Sequence, residues 1–126
     1  MAHTRTLFSS CVAGDRTLSG SLTINASGAK SLSEDIPADS TDLAVALSID
    51  VSALKMLFMV SDVDLTVTFV GPDAEFILDA GTPVTWNYLS GLDNPFGSTD
   101  VTSITVTNET DDEAVLDIEI LTDATP

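Results

Sequence analysis

The side chains here that could do chemistry are carboxylates, and little stands beside them. Of 126 residues, 20 are Asp or Glu, while His3 is the single histidine and Cys11 the single cysteine. Nucleophilic catalysis needs a base to take the nucleophile's proton and a third group to orient that base. With one imidazole, close to residue 1, Ser-His-Asp, Cys-His and histidine-zinc arrangements all lack parts. Asp62 and Asp64 lie two apart at a strand start and point the same way, so with a carboxylate from another loop they could hold Ca²⁺. No EF-hand spacing accompanies them, and the plainer reading is a turn and a solvent-facing position. Asp39 with Asp42, and Asp111 with Asp112 and Glu113, offer no more than that. Gly14, Gly20 and Gly28 are spaced as turns and not as a phosphate-binding loop. The expectation is a chain that is not an enzyme and uses neither cofactor nor metal.

Other local patterns are structural in character. Asn25-Ala26-Ser27 and Asn108-Glu109-Thr110 match the glycosylation acceptor pattern, but a Ser- and Thr-rich chain produces such matches by accident, and both read as turns. Trp86 alternates with Val84 and Tyr88 and reads as a core or interface anchor. Phe96 sits in the Gly-, Asn- and Pro-rich stretch Leu89 to Thr99, where it either contacts a partner or tucks back over the domain. A lone cysteine excludes an internal disulfide framework, and a small buried hydrophobe is its commonest use.

Charge narrows the partners. The formal net charge is −16, with Arg5, Arg16, Lys30 and Lys55 the only basic residues besides His3. Such a surface repels nucleic-acid phosphates and anionic lipid, so neither nucleic acid nor membrane is an expected partner. The first residues lack a sustained apolar segment of signal-peptide type, and no apolar run approaches the ~18 residues of a membrane span. Mean hydropathy is +0.28 with 44% apolar residues, which describes a folded chain and not an acidic tail. The acidity reads either as adaptation to high salt, which the absence of lysine after Lys55 favours, or as a complement to a cation-rich surface.

The elements that must position these residues are short strands. Leu43, Val45, Leu47 and Ile49 alternate cleanly, as do Leu65, Val67 and Phe69, and then Leu116, Ile118 and Ile120. Met56 to Val60 is a run dense enough for a strand buried on both faces, preceded by one helical turn over Ser52 to Lys55 that Asp50 or Ser52 could cap. Leu18, Leu22 and Ile24 share a parity and predict a half-buried strand ending at Asn25-Ala26-Ser27-Gly28. Further strands are expected at 75–78, 83–88, 100–108 and 114–121, with the charged link Glu109 to Glu113 in solvent. About eight or nine strands at spacings of roughly ten residues predict an all-β, antiparallel two-sheet β-sandwich, jelly-roll-like, with an immunoglobulin-like sandwich as the alternative. Residues 1–17 are expected to be an arm or edge strand and 18–126 a single sandwich domain.

Four pieces in fixed order carry a resemblance: Asp50-Val51-Ser52-Ala53-Leu54-Lys55 running to Ser61-Asp62, then Gly81-Thr82-Pro83-Val84-Thr85-Trp86, then Asp100-Val101-Thr102-Ser103-Ile104-Thr105-Val106-Thr107-Asn108, then Leu121-Thr122-Asp123-Ala124-Thr125-Pro126. From about Leu18 onward the chain resembles small virion structural proteins of tailed phages and related viruses. That resemblance implies a jelly-roll-like protein that decorates or cements the capsid shell, located in the virion, oligomeric, with the major capsid protein or other virion proteins as partners. The acidity departs from an ordinary phage and points toward a halophilic or marine host. On this reading the arm, through Arg5, Leu7 and Phe8, and the loop residue Phe96 are the expected partner contacts. A subunit of a tail, turret or other appendage is the alternative, and a calcium- or glycan-binding sandwich a third.

Overall fold

A computed structural model of the chain describes residues 3–13, 16–89 and 92–123. The first pair of strands, β1 (His3–Ala13) and β2 (Arg16–Ala26), forms a two-stranded sheet of its own. After Ser27 come β3 (Gly28–Ile36), β4 (Ser40–Val45), a 3₁₀ turn at Val51–Ala53, and β5 (Leu54–Ser61). They are followed by β6 (Leu65–Val70), β7 (Ala74–Leu78), β8 (Val84–Asn87), β9 (Ser103–Asn108) and β10 (Ala114–Thr122).

The eight strands after Ser27 pair as a nested ribbon: β3 with β10, β4 with β9, β5 with β8 and β6 with β7, all antiparallel. Rolling that ribbon so that β5 also meets β10, and β6 also meets β9, gives two four-stranded sheets, β3-β10-β5-β8 and β4-β9-β6-β7. This is the jelly-roll strand order, and the two-sheet antiparallel sandwich expected from the sequence is what the chain forms.

Alternation fixes which side of each strand faces the core. Leu65, Val67 and Phe69 of β6, Ile104 and Val106 of β9, and Leu116, Ile118 and Ile120 of β10 are buried between the sheets, with Leu57 and Met59 of β5 opposite. Each such Leu or Ile is worth roughly 1.5–3 kcal/mol of burial, and a one-residue slip would turn a whole row into solvent. β5 is apolar on both sides for a reason: Met56, across from Leu121, belongs to a second small cluster with Ile24 and Ala26. The central strand therefore serves the sandwich core with one face and the arm with the other.

Several expectations are corrected. The boundary between arm and sandwich falls at Ser27 and not at residue 18, because the strand carrying Leu18, Leu22 and Ile24 pairs with β1 along its whole length. The turn before β5 has no side-chain cap from Asp50 or Ser52; Ser52 Oγ donates to Asp50 Oδ1 at 2.7 Å, and Val51 N donates to Asp100 Oδ1 at 3.0 Å. Phe96 is 3% exposed and belongs to the core, so it is not a partner contact. Its ring lies 4.7 Å from that of Phe69 and 6.1 Å from that of Phe76, closing the end of the sandwich. Asn94 makes the inward turn possible, taking the Phe96 N–H on Oδ1 at 2.9 Å. For an aromatic ring the gain from burial exceeds what an exposed loop tip returns.

Two tight places hold the loops. Gly71 has φ +115°, and a Cβ there would sit 2.2 Å from the carbonyl oxygen of Asp100, so the turn after β6 requires glycine. Asn108, fully buried, donates from Nδ2 to the carbonyls of Ile36 at 3.3 Å, Pro37 at 3.2 Å and Asp112 at 2.8 Å. Its Oδ1 accepts from Thr110 N and Oγ1. The acceptor-like Asn-Glu-Thr triplet is thus a turn whose amide nitrogen is fully engaged inside the protein.

Candidate interaction surface at the root of the arm

Strand pairing runs from His3 opposite Ala26 to Ala13 opposite Arg16, so the arm is a ribbon about 35 Å long if fully extended at ~3.3 Å per residue. Side chains are described there for Thr4, Arg5, Thr6, Ile24 and Ala26. Leu7 and Phe8 lie on β1 with their backbones opposite Leu22 and Ser21, and their side chains lie outside the described residues. Cys11 is placed opposite Leu18.

The arm's base is seated on the outer face of the β3-β10-β5-β8 sheet. Ile24 and Ala26 are 0% and 4% exposed, packed with Met56 and Leu121 and flanked by Ala29 and Phe58. Beside this seat Arg5, opposite Ile24 in register, donates from Nε to Glu119 Oε1 at 2.7 Å. Ser31 Oγ donates to the other oxygen of the same carboxylate. A groove of about 400 Å³ continues along this face, lined by Phe58, Ser33, Asp117 and Glu119 among others, with an apolar floor and an acidic rim.

A second chain of contacts ties the arm's root to the far edge of the sheet. Ser27 N donates to Asp123 Oδ1 at 3.0 Å, and Asp123 Oδ2 lies 2.7 Å from Lys55 Nζ. That ammonium in turn stands 4.2 Å from the centre of the Tyr88 ring. The hydrogen bond from Lys55, followed by the Ser27 N–H, holds the Asp123 carboxyl below its ordinary pKa, and the same bond to Asp123 raises the Lys55 pKa. Tyr88, beside this pair, is 44% exposed, and Leu89 and Leu92 are 52% and 70% exposed.

Arg5 is thus part of a built contact, whereas the two carboxylates considered for calcium are not brought together. Asp62 Oδ1 accepts from Val115 N at 2.7 Å and Asp64 Oδ1 from Ala80 N at 2.8 Å, each pinning a different loop. Among the described residues no group of three or more His, Cys, Asp or Glu is placed to hold a metal ion. No helix among them is long and apolar enough to cross a membrane.

Glu119, Lys55 with Asp123, and Tyr88 escape a reading of the sequence. Glu119 and Asp117 do occupy the outward parity of β10, a visible signal, but their pairing with an arm more than a hundred residues away has no local signature. Comparison with known proteins adds no relative: no protein-family model, curated protein or solved structure matches this chain.

Proposed function

We propose that this chain is a non-enzymatic virion structural protein that decorates and cements the capsid shell of a tailed virus, with the major capsid protein or another virion protein as its partner. The observation that carries this reading is a jelly-roll sandwich bearing, outside both of its four-stranded sheets, a separate two-stranded ribbon whose Ile24 and Ala26 are seated against the body. A cementing subunit needs a stable body to sit over a junction and an extension to hold it there. The main core lies between the two sheets of the body, and no described residue of the ribbon belongs to it. The described residues of the four ordered sequence pieces of the resemblance fall at the turn before β5 and along that strand, the entry to β8, β9, and the end of β10, within the body.

The test is to purify particles and locate the subunit by cryo-electron microscopy. Density for the sandwich at regular positions on the outer shell supports the proposal. Density confined to a tail or turret assigns the appendage role instead, and absence from the particle rejects both. Removal of residues 1–11 should reduce shell occupancy; equal occupancy would show that the arm is not the anchor.

A further inference from the structure

We infer that β3 is a pairing edge for a second copy of this chain: two molecules join β3 to β3, antiparallel about a two-fold axis at Leu32, so that Lys30 of each faces Glu34 of the other. This concerns the purified protein alone and does not rest on the virion reading.

The edges of the sandwich are the first argument. A strand with one side unpaired is a template for another chain, and proteins guard such strands by keeping them short, bulging them or charging them. Of the four edges of the two sheets, β7 and β8 have only five and four residues, and β4 is broken by a register shift between Ser40 and Leu43, beside the left-handed Asp42. β3 has neither protection: its nine residues, none of them proline, pair with β10 without a shift, and its other side has no strand against it among the described residues. Its remaining guard is charge, in Lys30, Glu34 and Asp35, and the spacing of the first two matches a second copy instead of repelling it.

That register is the second argument. Antiparallel pairing of identical strands about a two-fold axis brings together only residues of one parity, because the axis stands normal to the sheet and keeps its faces. Full overlap of Gly28–Ile36 puts Leu32 on the axis, Ser31 opposite Ser33, and Lys30 opposite Glu34 twice. Centring the pair on Ser31 or Ser33 instead would set Lys30 against Leu32 or Ile36. Arg5 and Lys55 pair with Glu119 and Asp123 of their own chain, whereas Lys30 is exposed and forms no ion pair among the described residues. Its ammonium donates to the Ser48 carbonyl at 2.6 Å and meets the Ser48 hydroxyl at 3.4 Å, and its third N–H is left for a carboxylate. Beside Lys30 and Leu32 runs a cleft of about 460 Å³, walled also by Leu47 and Ser48, which a second copy on this edge covers.

The experiment is sedimentation velocity on the full-length chain. Wild type should dimerise, and more tightly in molar than in low KCl, since two chains of charge −16 repel each other until screened. Lys30→Glu and Glu34→Lys, each folded by circular dichroism, should each dimerise about tenfold more weakly, because each sets two like-charged pairs across the joint. Net charge alone gives the opposite sign for Glu34→Lys, which makes the chain less acidic. Mixed in equal amounts the two variants should recover association, as their heterodimer carries two opposite-charged pairs, and a chain bearing both substitutions should dimerise as wild type does. A measurement on wild type needs no variant: hydrogen exchange along β3 should slow as protein concentration rises, while exchange along β7 stays constant. A wild type that is monomeric in molar KCl, a Glu34→Lys variant that associates as well as wild type or better, variants that do not complement each other, or β3 amides indifferent to concentration would each overturn the inference.

Discussion

The sandwich and its arm are both antiparallel β-structure, yet they are held by different physics. In the sandwich every strand has apolar residues on its inner face, and Phe69, Phe76 and Phe96 interlock at one end with ring centres 4.7 to 6.1 Å apart. In the arm, Ile24 and Ala26 pack against the body and Arg5 pairs with the partly exposed Glu119. Removing a buried aromatic ring costs several kcal/mol, whereas a partly exposed ion pair is worth about 0–1 kcal/mol. Regular hydrogen-bonded geometry therefore says little about how firmly a β-element is kept in place; what lies under it decides.

The comparison can be attacked from its strong side first. Phe96→Ala should lower global stability by about 3–5 kcal/mol in denaturant unfolding. A loss below ~1 kcal/mol would mean that the ring is not the plug its packing implies. Asn108→Ala leaves three carbonyls with one donor fewer, and a loss of about 2–3 kcal/mol is expected; a neutral result would show the loop accepting water there. Raising KCl from low to molar concentration should lift the Tm by at least about 5 °C, roughly 1 kcal/mol, because screening relieves self-repulsion at a net charge of −16. An unchanged Tm would remove the halophilic reading of the acidity.

The smallest expected effect belongs to the root of the arm, and it depends on pH. Asp123 has a lowered pKa in the folded protein, so its contribution is present above its ordinary value near 4 and is lost as pH falls through the folded value. Lys55 has a raised pKa, so its contribution is complete below its ordinary value near 10.5 and is lost as pH rises through the folded value. Hydrogen exchange at the Ser27 amide should therefore be most protected, after correction for intrinsic rates, between about pH 4 and pH 10. Asp123→Asn should flatten the acid limb of that profile. If the limb survives the substitution, another carboxylate governs the root.

What is legible in the sequence follows the same division. Leu65-x-Val67-x-Phe69 and Leu116-x-Ile118-x-Ile120 announce their faces because a half-buried strand repeats every two residues, and the structure buries those residues. The doubly apolar run at Met56 to Val60 likewise marks a strand with work on both sides. Strand order is invisible in such patterns, since β3 meets β10 across most of the chain and nothing local encodes the partner. Leu18, Leu22 and Ile24 show why the arm's extent is hidden: their alternation is genuine, but alternation reports a face and not the identity of the sheet that covers it. Phe96 is ambiguous in sequence because a turn-rich loop reads as exposed until the Asn94 bend and the two neighbouring rings are seen.

The pairing of Gly28 with Thr122 also orders events in time. Contacts between distant parts of a chain form late, because the intervening loop must close first. During synthesis the ribbon emerges well before Leu121, half of its resting place. Each nascent molecule therefore passes through an interval in which the ribbon is complete and its own berth does not yet exist, with Ile24 and Ala26 open to solvent until β10 arrives.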